Sequence, residues 1–96
     1  MIKHIVCFKL REGESAEEAK KVLLGMKGKV GEIVEMEVGT DFLRSERSYD
    51  VFLSVTVKDR SSLDDYQNNP YHVNVVKKYM HGVTISSVAV DFETEK

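Results

Sequence analysis

The nine residues Ile2 to Leu10 constrain the fold more than any other stretch, because their alternation leaves neither face polar. Ile2, His4, Val6, Phe8 and Leu10 share one side of an extended chain, and Ile5 and Cys7 occupy the other. A strand of this kind has to be covered on both sides, so it belongs in the middle of a sheet. Tyr49 to Val57 has the same character, with Val51, Leu53, Val55 and Val57 opposite Phe52, Ser54 and Thr56. Ile33 to Thr40 sets Val34, Met36 and Val38 against Glu35 and Glu37, which reads as a half-buried edge strand. Thr84 to Phe92 closes the chain as a fourth strand, with Ile85, Ser87 and Ala89 on one face and Val88, Val90 and Phe92 on the other.

Two helical stretches separate these strands. Ser15 followed by Glu18 is a capping-box pattern, and Ala16, Ala19, Val22, Leu23, Met26 and Val30 form a stripe at helical period. Gly25, Gly28 and Gly31 weaken the end of that helix, which is expected to stop near Lys29. Gly25-Met26-Lys27-Gly28 matches the GxxG loop of RNA-binding KH domains only superficially, since no basic surface surrounds it. The second helical stretch, from Ser61, is split by Pro70, the only proline. Proline lacks an N–H and biases the residue before it away from helical angles. Asn69 should therefore cap a new helix with Pro70 at its first position and His72 in its first turn. Lys77, Lys78 and His81 suit the negative end of that helix, and Gly82 is expected to supply a left-handed cap.

The order βαββαβ, with right-handed crossovers, gives an α+β fold of ferredoxin-like type: a four-stranded antiparallel sheet with its helices on one face. Two helices cover one side only, yet Ile5, Cys7, Phe52, Val88 and Val90 make the other side apolar. The economical cover is a second copy, giving a homodimer packed through the open sheet face.

Composition narrows the partners. The 96 residues suffice for one domain, residues 1–96, which buries about 60 to 65% of its unfolded surface. Lys and Arg number 14 against 16 Asp and Glu, for a net charge of -2, and the basic residues are dispersed, so nucleic acid is not an expected partner. The single cysteine, Cys7, has no intramolecular disulfide partner. Met1 leads straight into a strand without a signal peptide or membrane span, which points to the cytoplasm and away from a membrane partner. No metal-ligand spacing, phosphate-binding glycine loop or nucleophile elbow is present, so neither metal nor cofactor is expected.

Three polar residues stand where apolar ones are usual: His4 on the Val6 and Phe8 face, Tyr66 in the first short helix, and His72 after the corner. Singly, His4 reads as a satisfied core histidine and Tyr66 as an amphipathic core residue with a wet hydroxyl. Together they border one space between sheet and helices, and burying three polar groups without use would demand three partners. At the start of a helix His72 should be held below its ordinary pKa, hence neutral at pH 7. His81, near a helix end, reads as structural.

Lys3-His4-Ile5-Val6, Tyr66-Gln67-Asn68-Asn69-Pro70-Tyr71-His72-Val73 and Asp91-Phe92 resemble the stress-responsive dimeric α+β barrel (Dabb) domain family over essentially the whole chain. The resemblance implies a homodimeric α+β barrel and, in each subunit, a small cavity between sheet and helices. Val6, Phe8, Val22, Leu23, Met26 and Leu53 are then the expected apolar lining for a small ligand. Most members have no established activity. One plant member, olivetolic acid cyclase, closes a linear polyketide by aldol condensation, and its functional tyrosine and two histidines match Tyr66, His72 and His4. The family pattern usually has histidine before the proline, where this chain has Asn69, which caps a helix well but cannot shuttle protons.

Four functions compete on these grounds. The first is a stress-response protein that binds a small, mostly apolar molecule. The second is a cofactor-free cyclase or lyase in which His72 removes a proton and Tyr66 stabilises the enolate. A related α+β barrel monooxygenase is the third, and a purely structural dimer with a filled interior the fourth.

Overall fold

The computed structural model describes residues 1–95. Strands β1 (Ile2–Leu10), β2 (Glu35–Thr40), β3 (Val51–Val57) and β4 (Thr84–Glu93) form one antiparallel sheet in the order β2-β3-β1-β4. The two doubly apolar strands are thus the central pair, and the Glu35/Glu37 strand is an edge, as the alternation requires. Helix α1 (Ala16–Leu24) and helix α2 (Arg60–Asn68) pack on the same face of the sheet. A π-helical turn (His72–Lys77) follows the corner and runs directly into α3 (Lys78–Val83). The fold is ferredoxin-like.

The core lies between the sheet's inner face and the helices. Ile2, Val6 and Leu10 of β1 and Val51, Leu53, Val55 and Val57 of β3 meet Ala19, Leu23, Met26 and Val30 from the α1 region, with Tyr66, Val76, Met80 and Val83 closing the far side. Burying each such side chain contributes on the order of 1.5–3 kcal/mol, so this layer dominates the stability of the subunit.

Local chemistry explains several element ends. Ser15 Oγ accepts the Glu18 N–H at 3.0 Å and opens α1, while Asp59 Oδ1 does the same for α2 through the Ser62 N–H at 2.8 Å. Helix α1 stops at Leu24, earlier than the expected Lys29. Gly25 begins a run of turns whose N–H groups reach back three residues, and Gly28 adopts a positive φ of 78°. Gly25 is also a close approach: a Cβ there would lie 3.1 Å from the Tyr71 hydroxyl, so the glycine lets the corner sit against α1. Strand β2 begins at Glu35 instead of Ile33, and β3 at Val51 instead of Tyr49, although the Val34 N–H still reaches the Thr56 carbonyl and the Asp50 N–H the Phe8 carbonyl, each at 2.8 Å.

One expectation is corrected outright. Gly82 is not a left-handed cap: it lies inside α3, the positive-φ glycines being Gly13 and Gly28, and the chain passes from Val83 straight into β4. The helix can end without a glycine because Thr84 turns extended at once, and the Val83 carbonyl is taken by the Arg11 N–H at 2.8 Å.

The helices leave β4 bare. Every residue from Ile85 to Glu93 is exposed, including Ser87, Ala89 and Asp91 on the helix side and Val88, Val90 and Phe92 on the open side. Near its start the pairing with β1 shifts, so that Leu10 faces Thr84 and Ile85 is an extra residue in the ladder. Among the described residues no helix is long and apolar enough to cross a membrane.

Candidate functional site

The corner delivers the side chains. Asn69 ends α2 in an extended conformation, and its Oδ1 accepts the N–H groups of Tyr71 at 2.9 Å and His72 at 3.2 Å. With Pro70 restricting the backbone, that double cap fixes where His72 leaves the chain. The imidazole folds back onto Tyr66, with ring centroids 4.4 Å apart at 31°. His4, from the central strand below, meets the same phenol edge-on at 5.8 Å. Sequence reasoning expected these three residues to converge, and the structure brings all three together.

A fourth residue completes the column. His4 and Asp91 are cross-strand partners on β1 and β4, and His4 Nδ1–H donates to Asp91 Oδ1 across 2.5 Å. This carboxylate fixes the tautomer and orientation of the ring and leaves Nε2 as its second functional atom. The sequence analysis assigned Asp91 no role. Asp91 shares its face with Ser87 and Ala89, but the register shift near the β4 start is what sets it opposite His4, since the Leu10–Thr84 pairing carried back unshifted would place Val90 there.

Burial divides the column. Tyr66 is 0% exposed and His72 is 6% exposed, whereas the Asp91 side chain is 44% exposed. Burial pushes the Tyr66 phenol well above its ordinary value of 10, so the hydroxyl keeps its proton and acts as a donor. Burial also lowers the His72 pKa from 6.5, with Lys77 and His4 acting in the same direction and the Gln67 and Tyr66 main chain opposing. The direction agrees with the sequence expectation, but the cause is desolvation in place of the helix terminus.

Two polar groups in the column are poorly served. The Tyr66 hydroxyl donates only to the Met26 sulfur, at 3.8 Å, and thioether sulfur is a weak acceptor. His72 Nδ1 is buried with no hydrogen-bond partner among the described residues. A buried polar atom left in that state costs about 1–3 kcal/mol, so the pair sets a phenol donor beside a ring nitrogen whose role follows its tautomer, both unserved in an apolar setting.

The apolar residues expected to line a cavity are core residues. Val6, Leu23, Met26 and Leu53 are buried, while Phe8 and Val22 are half-buried against them. Among the described residues, surface grooves of about 280 to 590 Å³ are lined by residues other than His4, Tyr66 and His72. The described residues hold no group of three His, Cys, Asp or Glu side chains placed to bind a metal ion.

Comparison with known proteins adds to this geometry. A family model described as the stress responsive A/B barrel domain matches residues 2–94. A dimeric protein of unknown function with a ferredoxin-like fold from Bacteroides fragilis is 27% identical. Its TM-score is 0.78, and the alignment covers 97% of this chain and 95% of that one. A dimeric ferredoxin-like protein of unknown function from Thermobifida fusca is 19% identical, with a TM-score of 0.80 and coverage of 97% and 90%. A Dabb family protein from Mesorhizobium loti is also 19% identical, with a TM-score of 0.75 and coverage of 99% and 97%. A comparison with curated proteins returns no match.

Proposed function

Because the chain belongs to the stress-responsive A/B barrel domain family, matched from residue 2 to residue 94, we propose that it acts as a homodimer holding a small, mostly apolar molecule in each subunit. The polar group of that molecule sits against His72, Tyr66 and His4. The observation that carries this reading is the unpartnered, buried Nδ1 of His72 beside a Tyr66 hydroxyl bonded only to sulfur. A ligand carbonyl or hydroxyl would supply the missing partners, and displacing the Met26 thioether would open room between sheet and helices.

The dimer follows from the open sheet face. Val88, Val90 and Phe92 are 51%, 60% and 45% exposed and lie beside Ile5, Cys7 and Phe52, a continuous apolar surface that a second copy covers. The similar proteins from Bacteroides fragilis and Thermobifida fusca are described as dimeric.

A second reading is supported by the protonation states. A neutral His72 is a competent base toward a carbon acid α to a carbonyl, and a protonated Tyr66 is the donor that an enolate oxygen needs. In that reading the chain is a cofactor-free enzyme of the cyclase or lyase type, with His4 held in place by Asp91. Asn69 performs a structural task in either case, since its Oδ1 is committed to the Tyr71 and His72 main chain.

Native mass spectrometry of gently purified protein tests the first reading. The expected result is a dimer carrying a bound organic molecule, with occupancy reduced in Tyr66→Phe and His72→Gln. Turnover of that molecule would convert the binder into the enzyme. A bare dimer that also takes up no carbonyl-bearing fragment would leave the column a packing arrangement.

A further inference from the structure

We propose that the groove between α3 and the start of β4 is a separate binding site for the carboxylate end of a medium-chain organic acid. The groove measures about 590 Å³, inside the range of roughly 300–1,000 Å³ found for small-molecule sites. Its apolar surface comes from Phe8, Met80 and Ile85, and its cationic or hydrogen-bonding rim from Arg11, Lys77 and His81. The chain carries more acids than bases overall, yet no Asp or Glu lines this groove.

Three structural features build it. The register shift at Lys9/Leu10 makes Ile85 the extra residue of β4, and this isoleucine, 62% exposed, lines the groove. The Arg11 N–H donates to the Val83 carbonyl at 2.8 Å and so ties the base of the guanidinium arm to the end of α3. Thr84 also lines the groove, and its Oγ1 is buried without a hydrogen-bond partner among the described residues.

Charge complementarity names the occupant. An anion meets Arg11 and Lys77, and the alkyl chain covers Phe8, Met80 and Ile85. From Ser87 the exposed inner face of β4 continues to Ala89, a lane of roughly 7 Å at about 3.3 Å per residue that stops short of Asp91. An unbranched chain fits such a lane better than a compact ring. The site does not depend on the His72 and Tyr66 reading, and a dimer formed through the opposite sheet face leaves it open.

Isothermal titration of the full chain with sodium decanoate, decanol and sodium acetate tests the proposal. Decanoate should bind once per chain, with decanol and acetate each at least about fivefold weaker, because each lacks one half of the recognition. Lys77→Gln and Arg11→Gln, both at exposed side chains, should each weaken decanoate by about fivefold, as suits a partly solvated ion pair. Tyr66→Phe should leave decanoate affinity unchanged, which separates this site from the buried column. Absence of decanoate binding, equal affinity for decanol, or unaltered affinity in both charge variants would overturn the assignment.

Discussion

Tyr66 and His72, six positions apart across the proline corner, hold their rings 4.4 Å apart at a tilt of 31°, a face contact in which neither ring satisfies the other's heteroatom. The hydroxyl is left to a thioether, and Nδ1 has no hydrogen-bond partner among the described residues. Packing thus brings the rings together and leaves their polar atoms for the ligand proposed above.

Tyr66→Phe should preserve or slightly raise stability. It deletes a buried hydroxyl whose partner is only the Met26 sulfur and leaves the ring packing intact, so the expected change in unfolding free energy is within about 1 kcal/mol. Chemical denaturation measures it. A loss of several kcal/mol would mean that the hydroxyl has a strong partner and is not free for a ligand.

Stability should depend on pH through His72. Its folded pKa is lowered by burial, so the unfolded chain binds the proton more tightly than the folded one. The contribution is fully present above the unfolded value of about 6.5 and is lost as pH falls from there through the lower folded value. Wild type should therefore lose stability below pH 6.5 more steeply than His72→Gln. Parallel pH profiles for the two proteins would contradict a depressed pKa.

Asn69→Ala should cost about 1 kcal/mol, within the ordinary range for losing an N-cap, because it strips the acceptor from two N–H groups at once. Asn69→Asp should recover most of that loss. If the alanine variant is as stable as wild type, the corner is held by Pro70 and by Tyr71 against Gly25 instead.

Phe52→Glu should split the dimer. The half-buried ring lies on the open sheet face, opposite Cys7 and Gly39, and a carboxylate buried against its own copy would cost several kcal/mol. Sedimentation of wild type as a monomer at micromolar concentration would remove the premise.

The sequence carried the sheet well because its signals are local and periodic: Val51, Leu53, Val55 and Val57 alternate without interruption, and Glu35 and Glu37 mark the wet side of an edge. The corner was legible for a related reason, since Asn69-Pro70 acts on its own backbone. What escaped depended on distant or non-periodic features. The π-helical turn from His72 to Lys77 has no side-chain period of its own, and its extra residue changes what Lys77 and Gly82 face. Gly82 looked like a cap only while the helix was read as ending there. Asp91 was invisible as a site residue because its partner, His4, lies 87 positions away and is set by strand register.

In the proposed function His72 and Tyr66 together receive the polar atom of a small ligand. The most direct measurement is the ¹⁵N spectrum of the His72 ring during titration with a panel of carbonyl-bearing fragments and their hydrocarbon counterparts. A carbonyl fragment is expected to shift the His72 ring nitrogens at pH 7, its hydrocarbon counterpart to leave them unmoved, and Tyr66→Phe to weaken the response. Fragments that bind the protein while the His72 nitrogens stay unmoved, with Tyr66→Phe behaving as wild type, would contradict it.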